Sequence, residues 1–90
     1  MIVRKHIIFH GRVQGVGFRY WSCMIATELR LTGWVKNLSD GTVEMEVQGS
    51  GMMISRLIHR LHNQRFVEIT DMETTSMPVK ENEFSFRPAN

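Results

Sequence analysis

Cysteine is nearly absent from this 90-residue chain, which has a single one, Cys23. One thiol cannot form a disulfide within the chain. Such sparing use of cysteine is typical of a reducing compartment, and we therefore expect a cytoplasmic protein.

Long hydrophobic runs are also missing. The first ten residues, MIVRKHIIFH, contain only short apolar stretches interrupted by basic and histidine side chains. A signal peptide or a transmembrane helix needs a longer uninterrupted run. The sequence therefore predicts no association with a membrane.

Acidic residues are lacking from the N-terminal third. Arg4, Lys5, Arg12 and Arg19 all precede the first acidic residue, Glu28, although the formal net charge of the chain is only +2. A net charge this small does not indicate a nucleic-acid partner, and we expect none. The uneven distribution predicts a positive local field that attracts a small anion.

The periodicity of apolar residues predicts six main elements and a short last strand. Strands are predicted at 2–10, 33–38, 42–48 and 66–74, helices at 18–30 and 51–62, a loop at 75–82, and an edge strand within 84–88 that ends at Pro88. Ser50 is the expected N-cap of the second helix. The order β-α-β-β-α-β is that of the ferredoxin-like split βαβ sandwich, an α+β fold with two helices on one face of an antiparallel sheet.

Side-chain patterns assign faces to these elements. In the strand at 42–48 the apolar residues alternate with polar ones, which predicts one buried and one solvated face: Val43, Met45 and Val47 inward, and Glu44, Glu46 and Gln48 outward. The aromatic residues Phe18, Tyr20, Trp21 and Trp34 are expected to fill the core and its border.

The segment GRVQGVG at 11–17 joins the first strand to the first helix. Backbone N–H groups at a helix start, together with the helix dipole, form an anion site, and glycines let the backbone approach the anion closely. Because the loop has no Ser, Thr, Asp or Asn to cap the helix, these donors stay free for a ligand. The loop does not match G-x-x-x-x-G-K-[ST], because it has no Lys-Ser or Lys-Thr pair. It does not match G-x-G-x-x-G either, because Tyr20 occupies the third glycine position. On these residues alone, an anion site and a simple connecting turn both remain open.

Two motifs decide between these interpretations. GRVQGVGFR at 11–19 and GWVKNLSDGTVE at 33–44 closely resemble the acylphosphatase family, in the order and at the spacing typical of that family. The resemblance implies a single acylphosphatase-like domain over residues 1–90. It implies hydrolysis of small-molecule acyl phosphates to a carboxylate and phosphate, without a metal or any other cofactor.

The resemblance also implies roles for particular residues. Arg19 would bind the phosphoryl oxygens and Asn37 would orient the attacking water. The loop would cradle the phosphate through Arg12, Val13, Gln14, Gly15, Val16, Gly17 and Phe18. Because the leaving carboxylate belongs to an acid with a pKa of about 4, it departs without a strong general acid. We expect direct in-line attack by water, without a phospho-enzyme.

The sequence departs from the family pattern in two places. Arg30 stands where the family usually has glycine, so a positive φ at this helix end would destabilise the fold by about 1 kcal/mol. Beyond residue 62 the chain lacks the usual Gly-Pro turn, so the resemblance is weaker there.

Two other classes of function deserve comparison with a small hydrolase. A non-catalytic anion- or RNA-binding module of the same fold is one alternative, but outward glutamates on the strand at 42–48 would repel phosphates. An acylphosphatase-like domain of a larger maturation protein is the other, and the length of the chain argues against it. No assembly motif is visible, and we expect a monomer.

Overall fold

Two helices pack on one face of a five-stranded sheet in a computed structural model, which describes residues 1–89. The elements are β1 (Ile2–Arg12), α1 (Phe18–Glu28), β2 (Thr32–Asn37), β3 (Val43–Ser50), α2 (Gly51–His62), β4 (Glu68–Met77) and β5 (Phe86–Pro88). The predicted element order and α+β class are confirmed. Neither helix in this part of the chain has the length and apolar character needed to cross a membrane.

The strands lie in the order β4-β1-β3-β2-β5. Strands β4, β1, β3 and β2 pair with one another in antiparallel fashion, as predicted. Strand β5 instead runs parallel to β2 and pairs Phe86 with Gly33. The sheet is therefore mixed rather than purely antiparallel. Because β4 and β5 lie at opposite edges, the connection at 78–85 crosses from one edge of the sheet to the other.

The core lies between the sheet and the helices. Val43, Met45 and Val47 of β3 are fully buried while Glu44, Glu46 and Gln48 lie on the other face, so the predicted alternation is confirmed. The other buried apolar residues of the strands and helices are Ile7, Phe9, Phe18, Ile25, Ala26, Val35, Ile54, Leu57, Leu61 and Phe86. This layer positions the N-terminus of α1 beside the end of β2.

Strand β4 is longer and starts later than predicted. It begins at Glu68 and runs to Met77, so the first part of the predicted loop at 75–82 is strand. The pairing with β1 extends from Arg12 opposite Glu68 to Arg4 opposite Met77. The sequence conceals this extension because β4 is an edge strand with mostly exposed polar residues, which lack an apolar alternation.

Arg4 is buried on the sheet face opposite the helices, with an exposed fraction of 1%. Its guanidinium donates to Glu46 Oε1 at 2.8 Å, to Gln48 Oε1 at 3.0 Å and to Glu83 Oε1 at 2.7 Å. Glu83 belongs to the 78–85 connection, so this cluster fastens that segment to the sheet. The predicted contribution of Arg4 to an anion-attracting field is therefore wrong, because two carboxylates already neutralise its charge.

Arg30 has a φ of +59°, just after the end of α1. The N–H groups of Arg30 and Leu31 donate back to the carbonyls of Thr27 and Ala26, at 3.1 and 2.9 Å. This is the Schellman arrangement, in which the left-handed position favours glycine. Residue 30 thus has the positive φ at which arginine is expected to destabilise the fold, and arginine here strains the backbone.

Replacing Arg30 by glycine should stabilise the protein, because glycine adopts this φ without strain. We expect Arg30→Gly to raise the free energy of unfolding by about 0.5–1 kcal/mol, measured by urea denaturation. Arg56→Gly is the matched control, since the same change inside α2 should lower the free energy of unfolding by about 1 kcal/mol. A decrease for Arg30→Gly would contradict the strain argument.

The pKa of Glu83 predicts an acid-dependent contribution to stability. Burial raises this pKa, but hydrogen bonds from Arg4 and Thr32, together with the charges of Arg4 and Lys80, outweigh burial and lower the pKa below its ordinary 4.5. The stabilisation is therefore fully present above about pH 4.5 and is lost as the pH falls through the lowered value. Glu83→Gln should cost about 1.5–3 kcal/mol at pH 7, and less in acid.

Urea denaturation at pH 7, 5 and 3.5 checks this expectation. Glu81→Gln serves as the control, because Glu81 is an exposed carboxylate in the same connection. A difference between the native chain and Glu83→Gln that stays constant across this pH range would show that ionisation of Glu83 contributes nothing.

Candidate active site

The first helix begins without a cap. Gly17 occupies the N-cap position with a φ of +81°, no side chain accepts from the first turn, and no acidic residue lies in that turn. By contrast, Ser50 caps α2 as predicted and accepts from the N–H of Met53 at 3.1 Å. The start of α1 therefore keeps its backbone donors and the positive end of its dipole available.

The loop that leads into α1 turns twice through left-handed backbone. Gly15 and Gly17 have φ values of +73° and +81°, which side chains strongly disfavour. Within residues 1–89, the backbone N–H groups of residues 15–19 have no hydrogen-bond acceptor. Successive unpaired N–H groups in such a loop form a concave site for an anion.

Both ends of this loop are anchored in the core. Val13 and Phe18 have exposed fractions of 1% and 2%. The Phe18 ring packs edge-on against Phe9 of β1, with ring centroids 4.9 Å apart. The backbone between these anchors is consequently held in place although most of it faces solvent.

A side-chain contact ties the loop to the turn after β2. Gln14 Nε2 donates to the carbonyl oxygens of Leu38 and Thr42, at 2.7 and 2.8 Å. The turn itself is ordered by Asp40, whose Oδ1 accepts from the hydroxyl and the N–H of Thr42, at 2.6 and 3.0 Å. These bonds lower the pKa of Asp40. The loop and the end of β2, where Asn37 lies, are thereby linked.

A concave pocket of about 200 Å³ lies where these segments meet. Its walls include four of the predicted loop residues together with Arg19 and Asn37, and also Tyr20: Val13, Gly15, Gly17, Phe18, Arg19, Tyr20 and Asn37. Asn37 Oδ1 is buried and has no hydrogen-bond partner among the described residues. An unpaired buried acceptor costs free energy, which a bound donor such as water would relieve.

Three of the predicted phosphate-binding residues do not line this pocket. Arg12 is exposed at the end of β1, Val16 packs against the core, and the side chain of Gln14 is occupied by the carbonyls of the turn. The role of Gln14 was missed because its partners lie more than twenty residues away in the sequence.

Tyr20 and Cys23 lie close to Arg19 on α1. Tyr20 is 62% exposed, so the expectation that it fills the core or its border is wrong. Burial raises the pKa of the Cys23 thiol, and the charge of Arg19 only partly opposes this. A raised pKa keeps the thiol protonated and unreactive at neutral pH, which is typical of a packed cysteine rather than of a nucleophile.

The Acylphosphatase family model matches residues 5–88. The chain belongs to the acylphosphatase family. An acylphosphatase from Geobacillus kaustophilus is 44% identical over 85 residues, covering 93% of this chain and 90% of that protein. The crystal structure of acylphosphatase from Bacillus subtilis matches with a TM-score of 0.89 and 36% identity, over the whole of both chains. Full-length HypF contains a similar fold, with a TM-score of 0.88 and 30% identity over all of this chain and 12% of that one.

The two hydrogen bonds of Gln14 predict that even an isosteric substitution at this position destabilises the acylphosphatase. Gln14→Glu removes both N–H donors and brings carboxylate oxygens against two carbonyls, so we expect a loss of about 2–3 kcal/mol at pH 7 in urea denaturation. Gln64→Glu is the matched control, because Gln64 donates to one carbonyl at 3.3 Å. Equal losses in the two variants would show that the link between loop and turn contributes no special stability.

Proposed function

We propose that this acylphosphatase hydrolyses acyl phosphates by direct in-line attack of water on phosphorus. The water oxygen forms the new bond to phosphorus while the bond between phosphorus and the acyl oxygen breaks. The carboxylate leaves with the bonding electron pair, and a phosphate oxygen takes the proton of the water. Family and fold support acyl phosphate hydrolysis.

The loop and Arg19 hold the phosphoryl group. The unpaired N–H groups of residues 15–19 donate to its oxygens, and the Arg19 guanidinium binds two of them at once. Without a ligand, a cation in the first turn of α1 opposes the helix dipole by about 0.3–1 kcal/mol. A bound anion reverses that sign, which favours an anion as the natural occupant of this pocket. Arg12, outside the pocket, adds positive charge at its approach.

Asn37 orients the attacking water, and its buried, unpaired Oδ1 is the observation on which this assignment rests. The amide does not titrate, so it cannot remove a proton. It can accept a hydrogen bond from water and fix the direction of the oxygen lone pair. Positioning of this kind accounts for much of the catalysis of phosphoryl transfer.

No strong acid is needed to release the product, because the leaving carboxylate is stable as an anion near neutral pH. Charge that develops on the phosphoryl oxygens is stabilised by fixed donors, which need no reorganisation during the reaction. This chemistry requires neither a nucleophilic side chain nor a metal, in agreement with the protonated state of Cys23.

The alternative of an RNA-binding module finds no support on the open face of the sheet. RNA-binding sheets of this topology present aromatic side chains for base stacking. Here the central strands β1 and β3 instead present two glutamates, each paired with a basic or histidine side chain across the strands: Glu44 with His6 and Glu46 with Arg4.

Two substitutions test the proposed roles in benzoyl phosphate hydrolysis with excess EDTA. Arg19→Gln and Asn37→Ala should each lower kcat/KM by about 100- to 1,000-fold, the effect typical of losing one preorganised group that stabilises the transition state. Arg56→Gln on α2 and Asn63→Ala at the C-cap of α2 are the matched controls, and both should keep the native rate. Circular dichroism establishes that all four variants are folded.

Other outcomes would change the conclusion. A folded native chain that leaves benzoyl phosphate intact would refute the proposed function. Activity abolished by EDTA and restored by a divalent cation would refute the metal-free mechanism. Recovery of labelled phosphate covalently attached to the protein would replace direct attack by water with a phospho-enzyme.

A further inference from the structure

An apolar groove of about 560 Å³ lies between α1 and β5. Tyr20, Cys23, Met24 and Thr27 of α1 line one side, and Pro88 of β5 lines the other. Arg19 and Glu28 also line it, and they mark the two ends of its helical wall. That wall is about 13.5 Å long, from the 1.5 Å rise of an α-helix over the nine steps between these two residues.

The groove adjoins the pocket that holds the proposed phosphoryl site. Arg19 and Tyr20 line both cavities. The phosphorus of an acyl phosphate bound at Arg19 lies only two bonds from the acyl carbon. The acyl chain therefore has to leave the phosphoryl pocket close to Arg19, where the groove begins.

The groove wall exposes apolar side chains that the core does not need. Tyr20 and Met24, one helical turn apart, are 62% and 36% exposed. An apolar groove wall beside a polar pocket suits a ligand that has one charged end and one apolar end.

We propose that this groove binds the acyl chain, and that the preferred substrates are acyl phosphates with an uncharged, apolar acyl group. This inference rests on the proposed hydrolysis of acyl phosphates. At the far end of the groove Glu28 is paired with Arg60 at 2.8 Å, so that end offers no unpaired cation to bind an acyl group that ends in a negative charge. The phosphoryl pocket binds the group that all acyl phosphates share, and the groove selects among them for an apolar acyl chain.

A homologous series of substrates tests this proposal. Acetyl, butanoyl and hexanoyl phosphates have leaving groups of nearly equal acidity, so differences in kcat/KM report contacts of the chain. Full burial of one methylene group raises the binding constant by about fourfold, and half burial in an open groove raises it by about twofold. We therefore expect kcat/KM for hexanoyl phosphate to exceed that for acetyl phosphate by about 16-fold.

A substitution in the groove assigns the effect to this surface. Met24→Gln places a polar amide on the groove wall and should reduce the ratio of hexanoyl to acetyl kcat/KM by at least about half. Met52→Gln is the matched control, because Met52 is a 65% exposed methionine on α2. It should leave the ratio unchanged. Thr27→Gln, a second exposed position on the groove wall, should lower the ratio as Met24→Gln does.

The outcomes separate the two proposals. A flat series in an enzyme that hydrolyses all three substrates overturns the groove assignment and leaves the hydrolysis intact. A steep series that neither groove variant flattens also overturns it. A flat series together with a dimer that Met24→Gln dissociates assigns the groove to a second copy of the chain. If none of the three substrates is hydrolysed, both proposals fail together.

Discussion

Burial of the two ends of the β1–α1 loop is the constraint on which the site depends. Val13 and Phe18 are both in the core, and Phe18 stacks edge-on against Phe9. An uncapped helix start preceded by two left-handed glycines would otherwise be mobile. The anchors allow the intervening backbone to leave its N–H groups unpaired and still hold them in one arrangement. A site made of backbone is therefore as well defined as the core beneath it.

The second half of the site depends on a turn far away in the sequence. Asp40 orders the turn after β2, and Gln14 binds two carbonyls of that turn, so Asn37 is held beside the loop. The start of α1 gives up a cap and places Arg19 unfavourably against the helix dipole. Stability is thus reduced at the position where an anion would restore it, as is typical of binding sites.

Much of the fold could be predicted from local patterns. The alternation in β3 and the N-cap Ser50 both depend on neighbouring residues, and both predictions are confirmed. The end of β4 and the direction of β5 were not predictable in this way. Strand β4 is an exposed polar edge, and the parallel pairing of Phe86 with Gly33 follows from the crossing of the 78–85 connection. Edge pairing depends on the partner strand rather than on the pattern of the strand itself.

The sequence by itself determined the element order, the glycine loop, and the residue types of Arg19 and Asn37, since each is encoded within a short segment. Only the tertiary structure decided that carboxylates neutralise Arg4, that Gln14 links the loop to the turn after β2, and that Tyr20 lines a groove. The physical reason is the same in each case. The partners of these side chains lie far away in the sequence, and a local pattern carries no information about which distant groups will meet them.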